Sequence, residues 1–369
     1  MARKVLAISS YKIFPAHSGG QKAIVNFYRY LCKEVKVVLA GTQNNDLAEI
    51  YEIDVLKVFG ASPFRYVNLF YYFKLKKIIH QNNIDTIIVE HPYMGVLGIM
   101  LQKILKIKLI IRSHNIEGLR FKDLGKWWWK ILLHYEKLVH SKADFSFFIT
   151  EEDRRYAIKN FSLKEEKTTV ITYGTIIEKS YTETQKAEYI NQLKSTFNIP
   201  ISHTLLLFNG AFGYEPNDRA LHLLLNEIMP HLLQRDKQFT LLICGKNIPQ
   251  DYNRYQSENI IIKGFIENID EVFKGAEIFL NPIWLGGGIK TKLVEALAFG
   301  SSAVSFISGA TGIPKDAAGE KLSIVEDKNI VQFAEEIIHQ RNTLNVSTPE
   351  SFYEYFYWGN IAKKAAQKL

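Results

Sequence analysis

Ile278-Phe279-Leu280-Asn281-Pro282-Ile283-Trp284-Leu285 runs directly into Gly286-Gly287-Gly288-Ile289-Lys290-Thr291-Lys292-Leu293-Val294-Glu295-Ala296-Leu297-Ala298-Phe299-Gly300. An apolar run, a glycine triplet and a short helical pattern make one strand, loop and helix unit. Glycines let backbone N–H groups crowd around an anion, and a helix N-terminus adds partial positive charge aimed at it. Lys290 and Lys292 would supply full charges. Glu295 falls roughly 6 Å along the helix axis beyond Thr291, and it shares a side of the helix with Lys292. One face can therefore hold a phosphate near its start and a ribose diol one turn later, while Leu293, Ala296 and Leu297 pack on a sheet. The arrangement suits a nucleoside diphosphate. A plain core helix with an exposed Lys/Glu pair is the competing reading, and spacing alone leaves both open.

Outward from this unit the same alternation runs from end to end of the chain, which predicts parallel sheets built from βαβ units. In the first half the expected strands are Val5 to Ser9, Val35 to Ala40, Ile84 to Glu90, Leu109 to Ser113, Phe145 to Thr150 and Thr169 to Tyr173. In the second half they are Thr204 to Asn209, Phe239 to Cys244, Ile260 to Lys263, Ile278 to Pro282, Ala303 to Ile307 and Leu322 to Val325. The polar segment Glu178 to Lys194 separates the two series, which places a boundary near residue 180, with a helix Lys186 to Phe197 opening the second domain. The fold class is α/β, with two doubly wound parallel-sheet domains. Ligands of open sheets bind outside the carboxyl ends of the strands, so a cleft between the domains is the expected site.

Two further glycine loops sit at such strand ends. Pro15-Ala16-His17-Ser18-Gly19-Gly20 follows the first strand and precedes a helix with Ile24, Phe27 and Leu31 on one face. Gly210 to Asn217 precedes a helix expected over Arg219 to Leu233, with Pro216 and Asn217 marking its start.

With 369 residues, 47% of them hydrophobic and only 10 prolines, the chain is long enough for two ordinary domains and globular throughout. Cys32 and Cys244 lie far apart in apolar segments, which reads as a reduced cytoplasmic chain with neither a disulfide framework nor zinc-ligand spacing. The apolar run after Met1-Ala2-Arg3-Lys4 is too short for a signal peptide, and Tyr11-Lys12 breaks it. No window approaches the roughly 18 uninterrupted apolar residues of a membrane span. The formal charge of +8 fits phosphate-bearing ligands, nucleic acid or an anionic membrane. No basic stripe interleaved with stacking aromatics supports nucleic acid.

Gly19-Gly20, Ser113-His114-Asn115-Ile116-Glu117, Tyr214-Glu215-Pro216-Asn217, Gly264-Phe265-Ile266 and Asn281-Pro282 running into Gly286 to Gly300 occur in one order along nearly the whole chain. Together they resemble glycosyltransferase family 4, whose members have the GT-B fold of two Rossmann-like domains facing across a cleft. The resemblance implies an N-terminal acceptor-side domain (1–180), a nucleotide-sugar-binding domain (181–348) and a C-terminal segment (349–369) crossing back onto the first, anchored by Trp358. It implies that Glu295 grips the donor ribose, that Gly286, Gly287 and Gly288 lie against the diphosphate and sugar, and that Gly19 and Gly20 approach the diphosphate from the other domain. His114 would contact the donor sugar near the reacting centre. Glu117 is a weak candidate base and better suited to orienting the His114 loop.

The chain departs from the family in two places. Gly287 stands where many members carry the first of two glutamates, and Phe212 and Asn217 stand near the usual Arg and Lys of the diphosphate site. Lys290 and Lys292 are the inferred substitutes. No Asp-x-Asp occurs, so the departing diphosphate is expected to be stabilised by lysines, backbone N–H groups and helix dipoles without a metal or other cofactor. The expected activity is transfer of a hexosyl group, with retention, to a glycan acceptor. A lipid-linked intermediate of bacterial surface polysaccharide synthesis is the expected acceptor, because two helices read as membrane-facing. A sugar-nucleotide epimerase or a nucleotide-sugar-binding pseudoenzyme on the same fold are the alternatives.

Two helices point to a membrane surface. On a wheel of Tyr66 to Ile79, Val67, Tyr71, Leu75 and Ile78 face inward, while Leu69 and Phe73 point away among Arg65, Lys76 and Lys77. In the second, Trp128, Leu132, Tyr135 and Leu138 face inward and Trp129 projects near Lys126. Apolar anchors ringed by cations suit an anionic interface, and would place the enzyme on the inner face of the plasma membrane; cover by loops or a second subunit is the alternative.

Overall fold

A computed structural model describes residues 3–47 and 52–369. The chain divides into two compact units, residues 1–176 with 356–369, and residues 177–355. The sequence placed these divisions at 180 and 349.

In the first unit β1 (Lys4–Ser9), α1 (Gly19–Leu31), β2 (Lys36–Thr42), β3 (Asp54–Phe59), α2 (Tyr71–Asn82), β4 (Thr86–Glu90), α3 (Gly95–Leu105), β5 (Lys108–Ser113), α4 (Glu117–Asp123), α5 (Trp129–Lys142), β6 (Phe145–Phe148), α6 (Glu151–Phe161) and β7 (Thr168–Val170) follow in order. The strands form a parallel sheet, β3-β2-β1-β4-β5-β6-β7. Near-continuous apolar runs such as Val5 to Ile8 and Ile87 to Val89 are fully buried, as strands covered on both faces require. β3 was not expected. It is an edge strand whose Asp54 and Lys57 face outward, and such charges protect an edge from further pairing while hiding its apolar pattern.

The second unit contains α7 (Glu183–Thr196), β8 (Thr204–Ala211), α8 (Glu215–Leu223), α9 (Met229–Arg235), β9 (Phe239–Lys246), β10 (Ile260–Ile262), α10 (Ile269–Gly275), β11 (Ile278–Asn281), α11 (Thr291–Ala298), β12 (Ser302–Phe306), α12 (Lys315–Ala318), β13 (Leu322–Val325), α13 (Ile330–Gln340) and α14 (Glu350–Phe356). Its parallel sheet runs β10-β9-β8-β11-β12-β13. One π turn, Leu224–Ile228, joins α8 to α9 where a single helix was expected. Lys186 of α7 donates to the carbonyls of Lys274, Ala276 and Phe299, at 2.8, 2.9 and 3.0 Å. It thereby serves the C-terminal ends of both α10 and α11, where carbonyls lack helical partners.

The last helix, α15 (Trp358–Ala366), belongs to the first unit and packs on α1. Trp358 is completely buried and meets the Tyr173 ring edge-on at 5.6 Å. Backbone bonds from Thr175 N–H to Phe356 O (2.7 Å) and from Trp358 N–H to Thr175 O (3.0 Å) tie the segment down. A Cβ on Gly174 would lie within 2.6 Å of the Trp358 ring, so glycine there makes the close approach possible. Phe352, Tyr353 and Phe356 are buried as well.

Both helices read as membrane-facing differ in detail from their wheels. Asn68 Oδ1 accepts from Phe70 N–H (3.0 Å), a local turn that delays α2 to Tyr71. Val67 therefore lies outside the helix and is exposed, while Tyr72, Leu75 and Ile79 are buried and the expected Tyr71 and Ile78 pack partly buried against the same core. Arg65 turns back to the carbonyls of Ser10, Ala61 and Ser62 instead of ringing the patch. Leu69 and Phe73 are exposed, joined by Phe64 and Phe70. On α5 the inward position expected for Leu138 belongs to Val139. Trp129 is half-buried, with Lys122 and Lys130 over its ring at 5.3 and 5.6 Å, and Trp127 is the tryptophan that projects, 83% exposed.

Candidate active site

In doubly wound sheets the ligand crevice forms where neighbouring strands send their connections in opposite directions. In the first unit that point lies between β1 and β4, and in the second between β8 and β11. The glycine loops read from the sequence sit there. Ser18 caps α1, accepting from Gln21 N–H (3.4 Å) while Gln21 Oε1 accepts from Ser18 N–H (2.8 Å), which puts Gly19 and Gly20 in the first turn after β1.

Across the crevice from that turn, β4 ends in Glu90 and His91, and in-register pairing sets Glu90 beside Arg112 of β5. The Glu90 carboxylate is fully buried. It accepts from Tyr28 Oη (2.7 Å), Arg112 Nη1 (3.2 and 3.1 Å) and His114 Nε2 (2.7 Å). Burial opposes its charge, yet the Arg112 guanidinium and these donors hold its pKa down to about 2. Arg112 lies over the Phe27 ring at 4.2 Å, a placement that suits a buried guanidinium. His114 follows β5, is almost buried, and has a pKa pushed down to about 4 by burial and by the neighbouring His91.

Glu117 opens α4 but makes no hydrogen bond to His114 among the described residues. It accepts from His91 Nδ1 (3.1 Å), Tyr93 Oη (2.7 Å), Arg120 Nη1 (3.0 Å) and Asn115 Nδ2 (3.4 Å). Despite burial, the His91 and Arg120 partners hold its pKa at about 2. A carboxylate so engaged is a poor base; it holds His91 and, through Asn115, the loop that carries His114. Glu136 of α5 accepts from the N–H groups of Glu117 and Gly118, both at 3.1 Å, and so caps α4 from outside.

The sequence reading passed over Glu90, His91, Tyr93 and Arg112. One signal was available: Glu90-His91 ends an apolar strand just as Ser113-His114 does, and polar residues at carboxyl ends of parallel strands face the crevice.

In the second unit Gly286 and Gly288 have φ of 79° and 71°, a region open to glycine and strained for other residues. A Cβ on Gly286 would lie 3.1 Å from the Tyr214 hydroxyl. Lys290 donates to the carbonyls of Gly286, Gly287 and Gly288, at 2.7, 3.3 and 3.2 Å, so it braces the loop from within. Lys292 donates to Asn209 O at the end of β8 (2.7 Å). Burial pushes its pKa down to about 8, against the pull of Glu295. Both lysines, expected to point at a ligand, bond backbone carbonyls here. Lys292 and Glu295 do share the accessible side of α11, while Leu293, Val294, Ala296 and Leu297 are buried. Phe212 is a core residue against Phe208, and Asn217 donates to Ala211 O (2.8 Å). Neither replaces a phosphate-binding cation.

Comparison with known proteins came to the same architecture. Residues 17–179 match the family profile described as Glycosyltransferase Family 4, and residues 203–341 that of Glycosyl transferases group 1. Sucrose-phosphate synthase from Thermosynechococcus elongatus superposes with a TM-score of 0.75 at 15% identity, covering 99% of this chain and 98% of that one. Anabaena HepE in complex with UDP gives 0.75 at 14% identity, covering 99% of each chain. WaaG, a glycosyltransferase involved in lipopolysaccharide biosynthesis, gives 0.63 at 14% identity, also covering 99% of each. No curated protein matches the sequence. With both sheets doubly wound and both halves matched, the chain belongs to the GT-B glycosyltransferases, its first unit carrying the family 4 region and its second the group 1 region.

Proposed function

We propose that this glycosyltransferase moves a hexosyl group from a nucleoside-diphosphate sugar to a lipid-linked glycan acceptor, with retention of configuration and without a metal ion. The observation carrying this reading is that the glycine loops lie at the switch points of their own sheets, Gly19-Gly20 after β1 and Gly286 to Gly288 after β11. Anabaena HepE, solved with UDP-glucose, supports the donor class. In the proposed step the acceptor hydroxyl oxygen bonds to the anomeric carbon as the carbon–phosphate oxygen bond breaks, and the acceptor proton passes to the departing phosphate. The N-terminus of α11, with Lys290 and Lys292 released from their carbonyls, would stabilise the charge that develops there. Melting shifts across a panel of nucleotide sugars would identify the donor, since a ligand at about 100 times its Kd stabilises by roughly 2.7 kcal/mol. Transfer that continues unchanged in EDTA and yields the donor's anomer by NMR would support the mechanism. An inverted product or loss of activity in chelator would overturn it.

Glu295→Ala is expected to weaken donor binding by about 2 kcal/mol, because charge-assisted bonds to two ribose hydroxyls disappear together. Calorimetric titration of the folded variant checks this, and unchanged affinity removes Glu295 from the site.

The acceptor proposal rests on the first unit's surface. Phe64, Val67, Phe70 and Phe73 are each at least 66% exposed, and Lys74 and Lys77 stand exposed on α2 beside Phe73. Trp127 projects next to Lys126. With a net charge of +8, an anionic bilayer is the complementary occupant, each basic residue near it contributing about 1 kcal/mol. Wild type is expected to float with phosphatidylglycerol vesicles at low salt, and Phe70→Ser/Phe73→Ser/Trp127→Ser to remain behind. Equal flotation of both, or of neither, would mean that this surface does not dock on a membrane.

A further inference from the structure

Hydrogen placement around His114 is decided by its neighbours. Nε2 lies 2.7 Å from Glu90 Oε2 and 3.2 Å from Arg112 Nη1. An ionised carboxylate only accepts and a guanidinium only donates, so one of the two must be Nε2's true partner. The shorter contact is to Glu90, and Arg112 Nη1 already donates to both Glu90 oxygens. A bare lone pair on Nε2 would face the carboxylate across 2.7 Å, acceptor against acceptor. The proton therefore sits on Nε2. In a neutral imidazole the other nitrogen is then an acceptor, and among the described residues Nδ1 has no hydrogen-bond partner.

The ring plane is held separately. His91 stacks on His114 with centroids 4.2 Å apart and 27° between planes. His91 is itself held at both nitrogens, Nε2 by Tyr11 Oη (3.1 Å) and Nδ1 by Glu117 (3.1 Å). Its backbone, at φ 61° and ψ 157°, lies in a region that glycine almost alone populates. Such strain persists where surrounding contacts over-determine it, which is common at functional sites. Two independent devices thus converge on one imidazole.

We infer that Glu90 is a positioning residue for His114: its carboxylate takes the Nε2 proton and leaves Nδ1 as the unprotonated nitrogen presented to the ligand, ready to accept from a sugar hydroxyl. The effect on transfer rests on the proposed function, whereas the tautomer does not. Glu90→Gln places an amide donor beside Nε2 and is expected to move the proton to Nδ1, as exchanging a carboxylate for an amide does in catalytic triads.

The test is nitrogen-15 NMR of the full chain with labelled histidine, His114 being assigned by the signals missing in His114→Ala. Wild type is expected to show a protonated Nε2 and a bare Nδ1. Glu90→Gln should exchange the two and lower kcat about 100-fold with KM within about 3-fold. Glu90→Asp should keep the wild-type pattern and recover most of the turnover, and Tyr28→Phe, which removes another donor to Glu90, should keep it too. A wild-type His114 protonated on Nδ1 overturns the inference even if Glu90→Gln fails to fold. So does a tautomer that exchanges in Glu90→Gln with turnover unchanged, or wild-type turnover lost equally in Glu90→Asp. If no nucleotide sugar is turned over by wild type, the proposed function fails while the tautomer assignment stands.

Discussion

His114→Ala lowers turnover by at least about 100-fold while donor affinity stays within a few-fold: this is the result expected from a group whose contact strengthens in the transition state. The imidazole is almost buried, has a pKa near 4 and is neutral at pH 7, so it offers directional hydrogen bonding and no charge for capturing a diphosphate. Removing it leaves the Glu90 and Arg112 pair intact at 3.1 Å, together with the Tyr28 bond to Glu90 (2.7 Å). The fold should therefore survive with a melting temperature close to that of wild type. Steady-state kinetics with a titrated donor separate the outcomes. Turnover near the wild-type rate would take His114 out of the reaction, and a purely KM effect would make it a donor-binding group.

Trp358→Ala is expected to destabilise the first unit by about 3–5 kcal/mol, the range for deleting a fully buried aromatic. The side chain has no solvent exposure, packs against Tyr173, and fills the space that Gly174 leaves open. Besides packing on α1, the segment 356–369 is held by the backbone bridge at Thr175 and by Lys108 Nζ donating to Lys368 O (2.7 Å), and loss of the Trp358 anchor is expected to expose it to proteolysis. Because the chain has two compact units, a single unfolding free energy is not defined. The measurement is the first unit's own transition by calorimetry, with the second unit's transition as internal control. Trp358→Phe should recover part of the loss. A variant that melts as wild type and resists protease at its C-terminus would show that α1 and the backbone bridge at Thr175 suffice.

Most strands could be placed from the sequence because a strand buried on both faces is apolar along its own length. Val5 to Ser9 and Ile84 to Glu90 each declared themselves without reference to a neighbour. β3 escaped because an edge strand carries charge on its open side. The start of α2 escaped because Asn68 bonds its own backbone, a choice a helical wheel cannot see. Tryptophan placement failed similarly: the helical phase of α5 depends on where it begins, and Trp128 is its cap.

The candidate site divides along the same line. The placement of Gly19-Gly20, Gly286 to Gly288 and Glu295 on their loops and helix was readable because backbone freedom and helical spacing are local properties, and each lies within one strand, loop and helix unit. The roles of Lys290 and Lys292 were not, since the carbonyls they bond compete with any ligand and one of these, Asn209, is 83 residues away. Glu90, Arg112 and His114 come from the ends of two strands, and only sheet order and register make them neighbours. The sequence by itself determined the alternating parallel architecture and the glycine loops at the strand ends, and its resemblance to a known family pointed to the aromatic anchor at Trp358. Tertiary structure alone decided which nitrogen of His114 carries a proton and that Glu117 serves His91, because a proton's position is set by whichever groups lie within about 3 Å, whatever their distance along the chain.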